Sequence, residues 1–238
     1  MVALIPAAGR GTRMESVTAG RPKELLPLGG ETVIERIIAE AAEVADHVVV
    51  ISSPQKPELD EVARRAGAEV IHQLEPRGLA HAVACLNAET DVLVLLGDCV
   101  YFPESPLARM DRLIHLGISG CIALEEVPAS RAHLYGIVAV DDMGTIDGIV
   151  EKPRLDASDV EPRYAVAARY ALSGGLMAYL LGAVERSTEA GEITLTSVLN
   201  AAIADGFVLK GVALQPNQVR IDAGEPESYL AANRMDWR

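Results

Sequence analysis

Short β-branched apolar runs alternate with helical periodicity through the first half of the chain. Val2–Ile5, Val48–Ile51, Glu69–Ile71 and Val92–Leu96 are nearly uninterrupted, as strands buried on both faces are. Between them, Val33, Ile34, Ile37, Ile38 and Ala41 keep the i, i+3, i+4 spacing of one helix face, and Thr32 with Glu35 makes a capping box. Leu59, Val62, Ala63 and Ala66 repeat that face and stop at Gly67, and Leu79, Ala82, Val83 and Leu86 form a third. Ser105-Pro106 opens a fourth helix ending near Gly117. This alternation predicts a parallel sheet with helices on both faces.

The second half is less regular. Ile137–Val140 and Thr145–Val150 flank Asp141-Asp142-Met143-Gly144 and read as a hairpin. Ala165–Leu172 reads as a strand, Leu195 to Ile203 as a helix ending at Gly206, Phe207–Leu214 as a strand, and a short helix begins near Glu225. Tyr164 to Val184 is the longest apolar span, but Arg169 and Gly174-Gly175 interrupt it. A strand followed by a helix accounts for it better than a membrane span. With no internal repeat or linker, residues 1–238 are expected to form one α/β domain: a Rossmann-like, mixed, mostly parallel sheet flanked by helices.

Composition narrows the function. Half the residues are hydrophobic, 23% are charged, and the net charge is −13. A nucleic-acid partner demands a basic face, so none is expected; an anionic substrate would need a local cationic patch. Cys85, Cys99 and Cys121 have no CxxC or Cys/His spacing, and the five histidines show none either. The chain opens directly into a strand without a basic leader, so reduced thiols and a cytoplasmic location are expected.

The local patch lies at the start. Ile5 to Leu28, IPAAGRGTRMESVTAGRPKELLPL, leaves the first strand, passes Gly9 and Gly11, and sets Arg10, Arg13, Arg21 and Lys23 within fourteen residues. Ligands of open α/β sheets bind beyond the carboxyl ends of the strands. There the glycines let backbone N–H groups approach a phosphate, Arg13 can fork onto its oxygens, and Lys23 offers a compact charge. A turn bearing solvated cations fits the same residues. The dinucleotide fingerprint would need a third glycine where Met14 stands, and no Gly-Lys-Ser/Thr triplet makes a P-loop.

GRGTRM followed by RPKELLPL resembles the signature of the sugar-phosphate nucleotidyltransferases, and PKELLPL is most similar to the bacterial UTP–glucose-1-phosphate uridylyltransferases. Thymidylyltransferases share GxGTR and the lysine. Gln73 with PRGLAHAV, LLGDCV, YGIV, GIVEKP, ARYAL, GEITLTSVL and IDAGEPESYLAAN follow in the family's order over nearly the whole chain. The resemblance implies transfer of a nucleotidyl group from a nucleoside triphosphate to a sugar 1-phosphate, with release of pyrophosphate and help from Mg²⁺.

It also implies roles for individual residues. Ala8, Gly9, Gly11 and Thr12 would line the triphosphate, Arg13 would hold the pyrophosphate, and Lys23 would neutralise the α-phosphate. Gln73 and Gly78 would face the base; Asp98 and Asp222 would share the metal. Gly136, Glu151 and Lys152 would hold the sugar 1-phosphate. Taken alone, Asp98 and Asp222 also read as turn residues, and Glu151-Lys152-Pro153 as a charged strand end. Gln73 leaves the base open, because its amide can face uracil or thymine one way and cytosine the other; UTP versus TTP turns on a methyl and the ribose 2′-OH, and PKELLPL with GEITLT favours UTP.

Two departures stand out. Ala168 replaces the glycine usual before Arg-Tyr, and Cys99 replaces Val or Asn after the metal-binding Asp. The chain closes soon after Asp222, leaving monomer and homo-oligomer both open. A nucleotide-sugar sensor of the same fold would lack the chemistry that Lys23, Asp98 and Asp222 together imply. A bifunctional acyltransferase would add hexapeptide repeats, which are absent here.

Overall fold

The computed structural model describes residues 1–154, 163–187, 191–235 and 237. The first half runs β1 (Val2–Pro6), α1 (Glu15–Thr18), β2 (Pro27–Leu28), β3 (Glu31–Thr32), α2 (Val33–Ala42), β4 (His47–Ser52), α3 (Pro57–Arg65), β5 (Glu69–His72), α4 (Leu79–Ala84), β6 (Val92–Leu95), β7 (Cys99–Phe102) and α5 (Leu107–His115). The second runs β8 (Gly120–Val127), β9 (Gly136–Val140), β10 (Ile146–Glu151), β11 (Arg163–Leu172), α6 (Gly174–Arg186), α7 (Leu195–Ala204), β12 (Leu209–Ala213), β13 (Val219–Asp222) and α8 (Pro226–Ala232). Every helix and strand read from periodicity is present, and Tyr164 to Val184 divides into β11 and α6. Among the described residues no helix is long and apolar enough to cross a membrane.

The sheet is mixed. Strands β6, β1, β4 and β5 lie side by side in parallel, as the sequence predicts. The side chains of β1 and β6 show why those two runs are apolar throughout. Ala3 and Ile5 of β1, with Leu93 and Leu95 of β6, enter one buried cluster with Ile34 and Ile37 of α2 and Met110 of α5. Leu4, Val92 and Val94 point the other way, into a second cluster with Val83 of α4, Leu180 of α6 and Leu199 of α7. Alternate residues therefore serve opposite faces, and both faces are covered.

Strand β11 joins this block to an antiparallel one. Along one edge it pairs with β8, and along the other with β6 and then β9. The register slips between Val166 and Tyr170, where Ala168 takes a left-handed φ of 60°. Next to it, Arg169 is fully buried, with both Glu40 carboxylate oxygens at 2.8 and 2.6 Å and the Cys99 carbonyl at 2.8 Å.

Several elements were not predicted, among them α1, the short β2–β3 pair, β8, β7 and β13. Strand β8 lies in the sheet interior, and β7 pairs antiparallel with β13 in a separate ribbon whose register sets Cys99 opposite Asp222.

The expected capping box is complete: the Thr32 hydroxyl accepts from the Glu35 N–H, and the Glu35 carboxylate accepts from the Thr32 N–H at 2.9 Å and its hydroxyl at 2.6 Å. Those bonds hold the Glu35 pKa below its ordinary 4.5, so the stability they add is present above that value and lost as pH falls through the depressed one. Thr32→Ala should cost about 1 kcal/mol at neutral pH. Urea unfolding should show that deficit shrinking as Glu35 protonates.

Candidate active site

The loop after β1 crosses the carboxyl ends of the parallel strands. Gly11 adopts φ 65°, and a Cβ there would lie 3.3 Å from Cδ of Lys23, so its absence lets the loop rest on the lysine's methylenes. A 3₁₀ turn, Thr12–Met14, buries Met14 and leaves Arg13 exposed; a second, Lys23–Leu25, buries Glu24 and Leu25. Each side chain is aimed by burying a neighbour.

Lys56 fastens this loop at both ends. From just before α3 its ammonium donates to the Ala7 carbonyl at 2.7 Å and to both Glu24 carboxylate oxygens at 3.1 and 3.0 Å. Lys56 and Glu24 are both buried. Burial raises the Glu24 pKa, while Lys56 and Lys23 oppose that rise.

Asp98 follows β6, and Asp222 ends β13. The β7–β13 ribbon joins them, and the Ala223 N–H donates to the Asp98 carbonyl at 2.7 Å. The Lys23 ammonium bonds the Asp98 carboxylate directly. Gly224 marks the convergence: a Cβ there would sit 2.9 Å from Asp222 Oδ1, 2.9 Å from Asp98 Oδ2 and 3.4 Å from Lys23 Nζ. Burial lowers the affinity of Lys23 for its proton, but Asp98 with Glu24 and Asp222 outweighs it, and the pKa is raised. Burial, then the Asp98 charge, also raises the Asp222 carboxyl.

Two cavities meet at Asp98. One, of about 500 Å³, is lined by Ala8, Gly9, Lys23, Gln73, Gly78 and Asp98. The Gln73 amide nitrogen donates to the Gly78 carbonyl at 3.2 Å and lies 2.9 Å from His81 Nδ1. The other, of about 440 Å³, is lined by Arg13, Asp98, Gly136, Glu151, Lys152 and Asp222. Register sets Glu151 opposite Gly136 across the β9–β10 hairpin, and Lys152 turns at φ 45° with its N–H on the Tyr135 carbonyl. Eleven of the thirteen residues singled out from the sequence thus border these cavities. Gly11 and Thr12 lie in the loop and line neither.

A model of the family described as "Nucleotidyl transferase" matches residues 2–237. The chain belongs to that family. Among nucleotidyl transferases it is 30% identical to a UTP–glucose-1-phosphate uridylyltransferase of Bacillus subtilis over 236 residues, covering 83% of this chain and 78% of the relative. It is 27% identical to the Pseudomonas aeruginosa protein of the same name, covering 98% and 94%. Among solved structures, a UTP-bound UGPase from Acinetobacter baumannii superposes with a TM-score of 0.80 at 25% identity, covering 98% of this chain and 91% of that one.

Sequence reasoning missed several neighbours of this nucleotidyl transferase's cavities. Arg220, its side chain nearly buried, holds Glu125 at 2.7 Å, lies 3.9 Å from Asp222 and stacks 5.3 Å from the Tyr135 ring. Thr196 donates to Glu151 at 3.3 Å, and Glu192 borders both cavities. For Lys56 the available signal was its place beyond β4, at the same end of the sheet as the loop. For Glu24 it was an acid set directly beside Lys23 in a cationic loop.

Lys56→Ala leaves a buried carboxylate unpaired and should cost about 3–5 kcal/mol, whereas Glu24→Leu with Lys56→Met should restore wild-type stability or exceed it. The raised Glu24 pKa contributes stability fully present below its ordinary 4.5 and lost as pH rises through the folded value. The double variant's advantage in urea unfolding should therefore grow with pH.

Proposed function

We propose that this nucleotidyl transferase joins UTP and glucose 1-phosphate into UDP-glucose, releasing pyrophosphate. The observation that carries this reading is the convergence of Lys23, Asp98 and Asp222 around Gly224, where the two cavities meet. A reacting phosphorus at that junction would have a cation beside it and room for a different substrate on each side.

In this reading the Gly9 and Gly11 backbone carries the triphosphate and Arg13 holds the departing pyrophosphate. Glu151 binds sugar hydroxyls and Lys152 the sugar phosphate. A phosphomonoester is mostly dianionic at neutral pH, its second pKa lying near ~6, so no general base is required. An oxygen of the sugar phosphate attacks the α-phosphorus in line. A new P–O bond forms, the bond to the β-phosphate oxygen breaks, and both electrons leave with pyrophosphate. The obstacle is repulsion between two anions, and Lys23, Arg13 and Lys152 offset it.

Asp98 and Asp222 fit a magnesium ion. Their carboxylates approach one small volume, and burial with mutual repulsion raises the Asp222 pKa, a strain that a divalent cation relieves. Magnesium is held by one or two carboxylates with water and phosphate oxygens, and among the described residues no larger cluster of metal-ligating side chains competes. When bound it supplies charge neutralisation at the phosphates.

Gln73 offers the base an acceptor that suits N3–H of uracil or thymine. The Gly78 carbonyl can only accept, so the Gln73 NH₂ faces it and the amide oxygen is left to accept. N3–H of uracil or thymine can donate to that oxygen, as can the N4 amine of cytosine, so the choice among pyrimidines rests on the relatives. The relatives' names favour UTP over TTP and glucose 1-phosphate as the sugar substrate.

Pyrophosphate release should be measured across a panel of nucleoside triphosphates and sugar 1-phosphates, with and without Mg²⁺. UTP with glucose 1-phosphate should give the highest kcat/KM, and release should collapse without the metal. No release from any pair would favour a sensing role. Lys23→Ala should cut kcat by roughly 10²–10³ while leaving sugar-phosphate affinity, read by calorimetry, nearly unchanged. Near-normal turnover would remove Lys23 from this role.

A further inference from the structure

Among the described residues four without a glycine's freedom adopt positive φ: Ala19, Asn87, Lys152 and Ala168. Ala19 and Asn87 sit just beyond helix ends, where left-handed residues are common. Lys152 and Ala168 both line the cavity assigned above to the sugar 1-phosphate. Strain of this kind persists only where its surroundings hold it, and it gathers at functional sites.

Ala168 is held from every side. Its carbonyl accepts from the Leu96 N–H at 3.2 Å and from the Arg169 guanidinium at 2.9 Å. The Tyr101 hydroxyl donates to the carbonyl of Ala167 on one side, and Arg169 on the other is locked to Glu40 and Cys99. The methyl does not serve the core. Ala167 and Ala171 pack into one apolar cluster, and Tyr170 and Leu172 into the other. Ala168 is 5% exposed and belongs to neither, but borders the cavity with Gly136, Val166 and Tyr170. On the neighbouring strand the wall is drawn close: a Cβ on Gly136 would come within 3.1 Å of Glu151 Oε2 and 3.4 Å of Val166 Cγ2.

The geometry points to Ala168 as the residue that limits the size of the sugar 1-phosphate this enzyme accepts. Its fixed methyl closes the space that a substituent larger than hydroxyl would need on the facing edge of the ring. The inference rests on the nucleotidyl transfer proposed above. A wall that can yield discriminates poorly, whereas this one is tied to three other segments. A single methylene in a well-packed pocket changes kcat/KM by roughly 10–200-fold.

Ala168→Gly removes the methyl and suits the left-handed backbone. Ala168→Asn enlarges the side chain with a residue that tolerates the same φ. Pyrophosphate release should be followed for both variants and wild type, with UTP and either glucose 1-phosphate or N-acetylglucosamine 1-phosphate, alongside thermal unfolding. The kcat/KM ratio of the acetamido sugar to glucose should rise at least tenfold in Ala168→Gly and fall in Ala168→Asn. A ratio unchanged in active variants, including a parallel loss on both sugars, would make Ala168 merely structural and overturn the inference. Wild-type turnover separates the two readings, since its absence for every triphosphate and sugar overturns the proposed function and this inference with it.

Discussion

A single guanidinium inside the molecule fixes how its parts meet. Arg169 has no exposed surface, and its charge is met by both oxygens of Glu40, the Cys99 carbonyl and the face of the Tyr101 ring 4.8 Å away. A buried pair of this kind returns little net stability, because desolvating both charges consumes most of the Coulomb gain. Its consequence lies in what it forbids. Glu40 belongs to α2, Cys99 to β7, and Arg169 to the strand where the parallel and antiparallel halves join. Any packing that separates the three leaves a charge without a partner in the interior. The peptide of Asp98 runs into one of those acceptors, so the constraint reaches the site.

The site itself is a local exception to the charge of the chain. At −13 the protein as a whole repels phosphates, but at physiological ionic strength exposed charges are screened beyond about 8 Å. What an anion meets on arrival is decided by Arg13, Lys23, Lys152 and Arg220, which border the two cavities. Of the acids nearby, Asp98 is committed to Lys23, Glu24 to Lys56 and, behind the cavities, Glu125 to Arg220, while Glu151, Glu192 and Glu225 also border them. Asp222 lies 3.9 Å from Arg220, yet burial and Asp98 push its carboxyl upward. The proposed metal would settle that imbalance, in the reading where phosphates supply its remaining oxygens.

Much of this was legible in the sequence, for reasons that differ by element. Strands β1 and β6 declare themselves because burial on both faces makes them apolar throughout, β4 through its buried Val49–Ile51 centre, the half-buried edge strand β5 only through Val70 and Ile71, and α2 because its capping box and apolar stripe agree. The β7–β13 ribbon gave no such signal. Val219–Asp222 places an arginine and an aspartate in four residues, and its partner lies about 120 positions earlier. Local pattern cannot carry a pairing of that range. Strand β8 ends in Glu125 and Glu126, which break its apolar run, although Glu125 is there to receive Arg220. Arg169 was read as an interruption that argues against a membrane helix. That conclusion needed only its charge, whereas its function depends on Glu40, 129 residues away. Ordered motifs named the residues around the cavities, but Lys56 and Glu24, which hold the loop, became visible only in three dimensions.

The two cavities are built on opposite uses of the same backbone conformation. On the nucleotide side the left-handed positions are glycines. Gly11 allows the loop to lie on Lys23, and a Cβ on Gly78 would sit 2.5 Å from both Glu192 Cγ and the Ile193 carbonyl oxygen. In the proposed reading phosphates and a base would be approached there by main chain and amide groups, which a side chain would obstruct. On the sugar side the left-handed positions are Lys152 and Ala168, where a Cβ is present despite its steric cost of roughly 1–2 kcal/mol. Sugars differ in the bulk and direction of their substituents, and bare backbone distinguishes these poorly. A wall that discriminates must carry side chains. In the proposed reading, strain is therefore tolerated where selection among similar sugars requires it, and avoided where one triphosphate group is common to every donor.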